Sequence, residues 1–128
     1  MGYKERMKVR VSEGEDLLFI AFSHAGLTKG MTRQKHIHLL DPCPEYPNGL
    51  DTFPDYMIDN PDYIVDLKMW VGYLDNIHLH KGKRLDRDEV INDLLKGMGW
   101  KVTRWPYSGK LSNRRKCEIV EEVRKIRG

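Results

Sequence analysis

Asp62, Asp75, His78 and His80 fall within one stretch of the chain, from Pro61-Asp62-Tyr63 through Leu74-Asp75-Asn76 to His78 and His80. The intervening residues read as paired strands, Tyr63 to Leu67 and Met69 to Leu74, the second more apolar and therefore more central. That places Asp62 at the mouth of one strand and Asp75 at the end of the next, where a hairpin can bring them together. Two convergent carboxylates offer oxygen ligands to a hard divalent cation such as Mg²⁺. His78 and His80 point to one face if the segment stays extended, and a histidine there could activate water or protonate a leaving group. Such chemistry suits phosphodiester hydrolysis. Each residue also has a plainer reading. Asn60-Pro61-Asp62 is a strong turn signal, Asp75-Asn76 is an ordinary type I′ hairpin pair, and surface histidines need no explanation.

The elements that must position these groups alternate between helix and strand. Ser12 with Glu15 makes a capping-box pattern. Leu17, Leu18, Ala21, Phe22 and Ala25 come next at helical spacing, and Gly26 offers a stop. Arg33 to Leu40 alternates like a strand, with His36, His38 and Leu40 on one face and Ile37 and Leu39 on the other. Pro42, Pro44, Pro47 and Pro54 with Asn48-Gly49 make Asp41 to Asn60 read as a long irregular loop. A helix from Asp86 to Met98 ends at Gly99, a strand runs from Trp100 to Trp105 until Pro106 closes it, and a helix covers Ser112 to Ile126. Trp100 and Trp105 read as core anchors. The alternation predicts an α/β domain, a mixed sheet with helices on its faces. Residues 1–11 form a charged tail or a short edge strand, leaving 12–128 as a single domain.

Six short pieces occur in a recognisable order: Ser12-Glu13-Gly14-Glu15, Arg33-Gln34-Lys35, Pro61-Asp62-Tyr63, Leu74-Asp75-Asn76, Arg87-Asp88 and Gly99-Trp100-Lys101-Val102. In order and approximate spacing, from about residue 12 to residue 124, the chain resembles the PD-(D/E)XK nuclease superfamily, on the branch of the very short patch repair endonucleases. The resemblance implies a restriction-endonuclease-like mixed central sheet flanked by helices, and a deoxyribonuclease that depends on Mg²⁺ or Mn²⁺. Asp62 would bind the metal, with Asp75 or the Leu74 carbonyl as second ligand and His78 or His80 as the acid–base group. Glu15 matches the helix acid that approaches the metal or its water. Gln34 matches a strand glutamine that hydrogen-bonds near the scissile phosphate. Two departures stand out: Tyr73 occupies the place where many relatives carry Glu, and Ile77 the place of the superfamily lysine. The first leaves an alternative, a DNA-binding or accessory protein that keeps the fold without the catalysis.

The 22 basic and 19 acidic residues give a net charge of only +3, so total charge does not demand a nucleic-acid partner. The distribution says more. Basic residues gather beyond Lys81, in Lys81-Gly82-Lys83-Arg84 and Arg114-Arg115-Lys116, and Arg87, Lys101 and Arg104 could add phosphate contacts. A solvated charged face is the plainer reading. The expected partner is duplex or structured DNA, with the protein a monomer or homodimer. Cys43 and Cys117 lack metal or redox spacing, and a structural zinc is not expected, although His36, His38, Cys43, His78, His80 and Cys117 would supply ligands if folding converged them. No apolar run approaches the ~20 residues that span a membrane, and the N-terminus lacks a signal-peptide profile. A cytoplasmic protein is expected.

Overall fold

In the computed structural model, which describes residues 13–59, 69–77 and 82–127, nine elements succeed one another. They are α1 (Glu13–His24), β1 (Met31–Thr32), β2 (Ile37–Leu40), β3 (Leu50–Thr52), β4 (Tyr56–Ile58), β5 (Trp70–Asn76), α2 (Lys83–Gly97), β6 (Lys101–Tyr107) and α3 (Asn113–Arg127). The main sheet has the order β1-β4-β5-β6, and β2 with β3 makes a separate ribbon. β4 runs antiparallel to β1 and to β5, whereas β6 runs parallel to β5. A parallel pair needs a crossover connection, and α2 supplies it. The mixed α/β class expected from the sequence is therefore observed.

Strand alternation sorts the core into two layers. Tyr56, Ile58, Trp70 and Leu74 pack with Leu18 and Phe22 of α1, Trp105 of β6, and Ile119 and Val123 of α3. Met57, Val71 and Tyr73 point the other way, onto Ile91 and Leu95 of α2, Trp100, and Ile37 and Leu50 of the ribbon. Helices α1 and α3 thus cover one face, and α2 with the ribbon covers the other. Both predicted tryptophan anchors are buried.

Helix α1 carries Glu13, Glu15 and Asp16 in its first turn, where acids complement the positive end of the helix dipole. It stops at Gly26, whose φ of 73° is costly for a residue with a Cβ. The Gly26 N–H donates to Ser23 O at 3.0 Å and the Leu27 N–H to Phe22 O at 2.9 Å, a paired C-terminal cap that buries Leu27.

The structure corrects several expectations. The Asp41 to Asn60 region contains β3 and β4; strands of three residues are too short for alternation to show, and β4 is buried at every position. The Arg33 to Leu40 strand begins only at Ile37, because Gln34 adopts a left-handed φ of 53°. Leu17 is exposed rather than part of the buried stripe. α2 starts at Lys83, ahead of Asp86. β6 runs through Pro106 to Tyr107; among the described residues it is the last strand of the sheet, and an edge tolerates a missing N–H. Asp75 and Asn76 are not a hairpin turn but strand residues opposite Pro106 and Tyr107. The tail at 1–11 and the strand expected over 63–67 lie outside the described residues.

Gly72 lies at the centre of β5. A Cβ there would approach the Trp70 ring to 2.6 and 2.8 Å and the Trp105 ring to 2.9 Å. Both indoles are buried, so neither can rotate away cheaply. Gly72→Ala is expected to destabilise the fold by about 1–3 kcal/mol in urea denaturation. An unchanged midpoint would mean that the indoles move aside freely.

Candidate active site

Asp55 lies immediately before β4, in Phe53-Pro54-Asp55-Tyr56. Its Oδ2 accepts the Leu74 N–H at 2.7 Å, tying the entry of β4 to the end of β5. Its Oδ1 accepts a hydrogen bond from Gln34 Nε2 at 2.9 Å. The same amide nitrogen is 3.5 Å from Glu15 Oε1, on the buried side of α1. The Tyr56 hydroxyl donates to the Glu15 carbonyl at 2.7 Å and fixes α1 against β4. Gln34 is held through its main chain as well, its N–H donating to Pro54 O at 3.0 Å. A non-glycine residue at positive φ is uncommon, and such strain often accompanies a functional position.

Two carboxyls from different elements therefore converge on one amide. Asp55 is half-buried as a residue, yet its carboxyl group is enclosed. Burial, then the hydrogen bond and the charge of Glu15, push the Asp55 carboxyl well above the usual range. The Leu74 N–H and the Gln34 amide pull the other way, with smaller effect. A hydrogen bond between two carboxyls requires a proton on one of them.

A second polar cluster adjoins this one on the α2 side. Arg104 Nη1 lies 3.1 Å from Asp75 Oδ2 and 3.8 Å from Asp88 Oδ2, and its Nε donates to Asn92 Oδ1 at 2.7 Å. The Arg104 guanidinium stacks 4.0 Å above the Tyr73 ring, and the Tyr73 hydroxyl bonds the Thr52 hydroxyl at 2.6 Å. Burial above all pushes the Tyr73 phenol up to about 12. Tyr73 feels the charges of both Asp55 and Asp75, so it stands between the two clusters.

Of the residues singled out in the sequence, Glu15 and Gln34 do come together. The acid that joins them is Asp55, which motif and spacing did not single out. Asp62, His78, His80 and Lys81 lie outside the described residues. Asp75 is bonded to Arg104, and Leu74 contacts Asp55 through its N–H. Arg104, expected on phosphate, is turned inward onto that acid and also faces Asp88. Arg84, Arg87 and Arg114 are exposed and Arg115 is half-buried. All four come after the strand ends nearest the carboxyl pair; Lys101, also exposed, sits opposite Trp70 at the other end of β5. The Lys83 side chain lies outside the description. One signal could have found Asp55: Pro-Asp-Tyr occurs twice, at Pro54-Asp55-Tyr56 and at Pro61-Asp62-Tyr63.

No protein-family model matches the chain, and no curated protein or solved structure matches it either. Among the described residues, no group of three or more His, Cys, Asp or Glu side chains stands in ready metal-binding geometry. Glu15 and Asp55 nonetheless fit what Mg²⁺ asks of a protein, which is one or two carboxylates, with waters and substrate phosphate completing the shell.

The enclosed pair has a consequence for stability. Because the folded protein holds the Asp55 proton above the ordinary aspartate range, that contribution is complete at low pH and is lost as pH rises through the raised value. Asp55→Asn removes the charge, still accepts the Leu74 N–H and can donate to a flipped Gln34 amide. In metal-free buffer the variant is expected to melt several degrees above wild type at alkaline pH, with the gap narrowing on acidification. Equal melting curves across the pH range would show that the pair carries no repulsion.

Proposed function

We propose that the protein is a divalent-metal-dependent deoxyribonuclease in which Glu15 and Asp55 hold the cation. The observation that supports this reading is the convergence of two enclosed carboxyls on Gln34. Asp55 alone accepts both the Leu74 N–H and the Gln34 amide; a second acid beside it adds like charge, which the fold alone does not call for. A divalent cation bound there would stabilise charge on the phosphate and lower the pKa of attacking water. Gln34 orients the two carboxyls, and the Leu74 N–H fixes the direction of Asp55. Under this reading Asp55 takes the metal-binding role that the resemblance gave to Asp62. His78 or His80 keeps the acid–base role it implied. Among the described residues, Arg84, Arg87 and Arg114 are exposed and follow the strand ends nearest the carboxyl pair, and they would meet DNA phosphates.

One observation favours a second reading, a protein that binds DNA without cutting it. Tyr73, where the resemblance asks for an acid, is a neutral phenol covered by Arg104, and Asp75 is already paired with that arginine.

Incubation with supercoiled plasmid in Mg²⁺, in Mn²⁺ and in EDTA separates these readings. Wild type is expected to nick only with metal, and Asp55→Asn to lose more than the roughly 10–100-fold typical of a change behind a metal ligand. Asp62→Asn is expected to fall less. Loss in Asp62→Asn alone would return the site to Asp62. Salt-sensitive DNA binding with no cleavage in either metal would establish the second reading.

A further inference from the structure

The β2–β3 ribbon carries a cluster that the carboxyl pair does not use. His38 stands directly opposite Asp51 in the antiparallel register. His36 Nε2 is 2.7 Å and His38 Nδ1 is 2.9 Å from the same atom, Asp51 Oδ1. Behind the His38 ring, Nε2 is 2.8 Å from Asp41 Oδ1. The His36 ring rests against Phe53, with centroids 5.1 Å apart, which restrains its plane. The turn joining the strands is closed at Gly49, where a Cβ would come within 2.6 Å of Leu40 O. Two imidazoles, one carboxylate between them and a second carboxylate behind are thus assembled by cross-strand pairing.

We propose that His36, His38 and Asp51 form a binding site for a borderline first-row divalent cation such as Zn²⁺ or Co²⁺, with Asp41 orienting His38 from behind. Two histidines and one carboxylate are a recurrent donor set for open transition-metal sites. A ligating histidine typically donates its other ring N–H to a carboxylate, and Asp41 is placed to receive it. The donors are closed on one another through hydrogen bonds, and as they stand they do not form a ready metal-binding group. Ligand atoms about 2.0–2.1 Å from a tetrahedral ion lie about 3.3 Å apart. Opening the two contacts by roughly half an ångström therefore exchanges shared protons for a metal.

The site can open and be reached: the side chains of His36, His38 and Asp51 are 30%, 52% and 36% exposed. The pairing of β2 with β3 is irregular between His38 and Leu40, so a metal here would clamp the ribbon where its ladder is weakest. The cluster shares no ligand with Glu15 and Asp55, so it stands independently of the nuclease reading.

The test is Co²⁺ titration of chelator-stripped full-length protein, monitored by visible absorption and calorimetry, with Zn²⁺ as competitor and Mg²⁺ as comparator. It is run in wild type and in Asp55→Asn, which separates this event from binding at Glu15 and Asp55. In both, a Co²⁺ is expected to bind more tightly than Mg²⁺ and without a thiolate charge-transfer band, and any further binding at Glu15 and Asp55 is expected in wild type alone. His38→Gln and Asp51→Asn are expected to weaken it by at least about 10-fold, and Asp41→Asn by less. Melting of the metal-free variants checks the fold, and His36→Gln gives an independent reading should His38→Gln be unstable. Unchanged Co²⁺ affinity in the histidine variants, a thiolate band from Cys43 or Cys117, or binding no tighter than Mg²⁺ would each overturn the proposal. The cluster would then be an ion-paired clasp alone.

Discussion

Strand β5 is buried on both faces from Trp70 to Asp75, and the other elements take their places from that burial. Its odd and even side chains feed two separate hydrophobic layers, so helices are needed above and below. The polar groups gather at its C-terminal end. β4 pairs with β5 only as far as Tyr56 opposite Gly72. The Leu74 N–H lies past the end of that ladder, and a buried donor must find an acceptor. Asp55 provides it, so a side chain continues the ladder where the strand stops. That geometry delivers a carboxyl to the foot of α1, where Glu15 already faces inward.

The two polar clusters at this end are built on opposite electrostatic plans. Asp75 and Asp88 share Arg104, whose charge offsets theirs and whose planar fork is anchored by Asn92 and by the Tyr73 ring. Carboxylates arranged in that way are structural. Asp55, by contrast, has an amide, a backbone N–H and another acid as its partners. The second arrangement keeps a tension that the first relieves, and carboxyls perturbed in that way cluster at functional sites; the proposed cation site rests on that contrast.

The helices were legible because their apolar stripes are long. Ile119 and Val123 recur along α3 as helical spacing requires, and both are buried. β1, β3 and β4 were not, since two or three residues cannot display a period, and the prolines around them signal a loop. Glu15 and Gln34 were readable as candidates from type and order; that they meet is a fact of packing. Asp55 was hidden by a local ambiguity. Pro-Asp-Tyr recurs at a seven-residue interval, and the copy nearer Asp75 fits a short hairpin better. Arg104 was illegible for a different reason. Strand alternation assigns it the face of Tyr73 and Asp75, but whether a cation turns to solvent or to an acid depends on what α2 lays over that face.

At Tyr73 a neutral ring stands where the resemblance asks for one acid of a carboxylate site. A glutamate there would lie between Asp55 and Asp75, adding charge to a neighbourhood that already holds Glu15 and Asp88 as well. The phenol stays neutral, binds Thr52 with its hydroxyl and offers Arg104 a ring to stack on. Arg104 in turn balances Asp75 on β5, so the contact between like-charged groups falls instead on Asp55 and Glu15, beside α1. With Tyr73 on the strand, the proposed site takes its second carboxylate from the helix, and the strand contributes the framework that holds Asp55 in place.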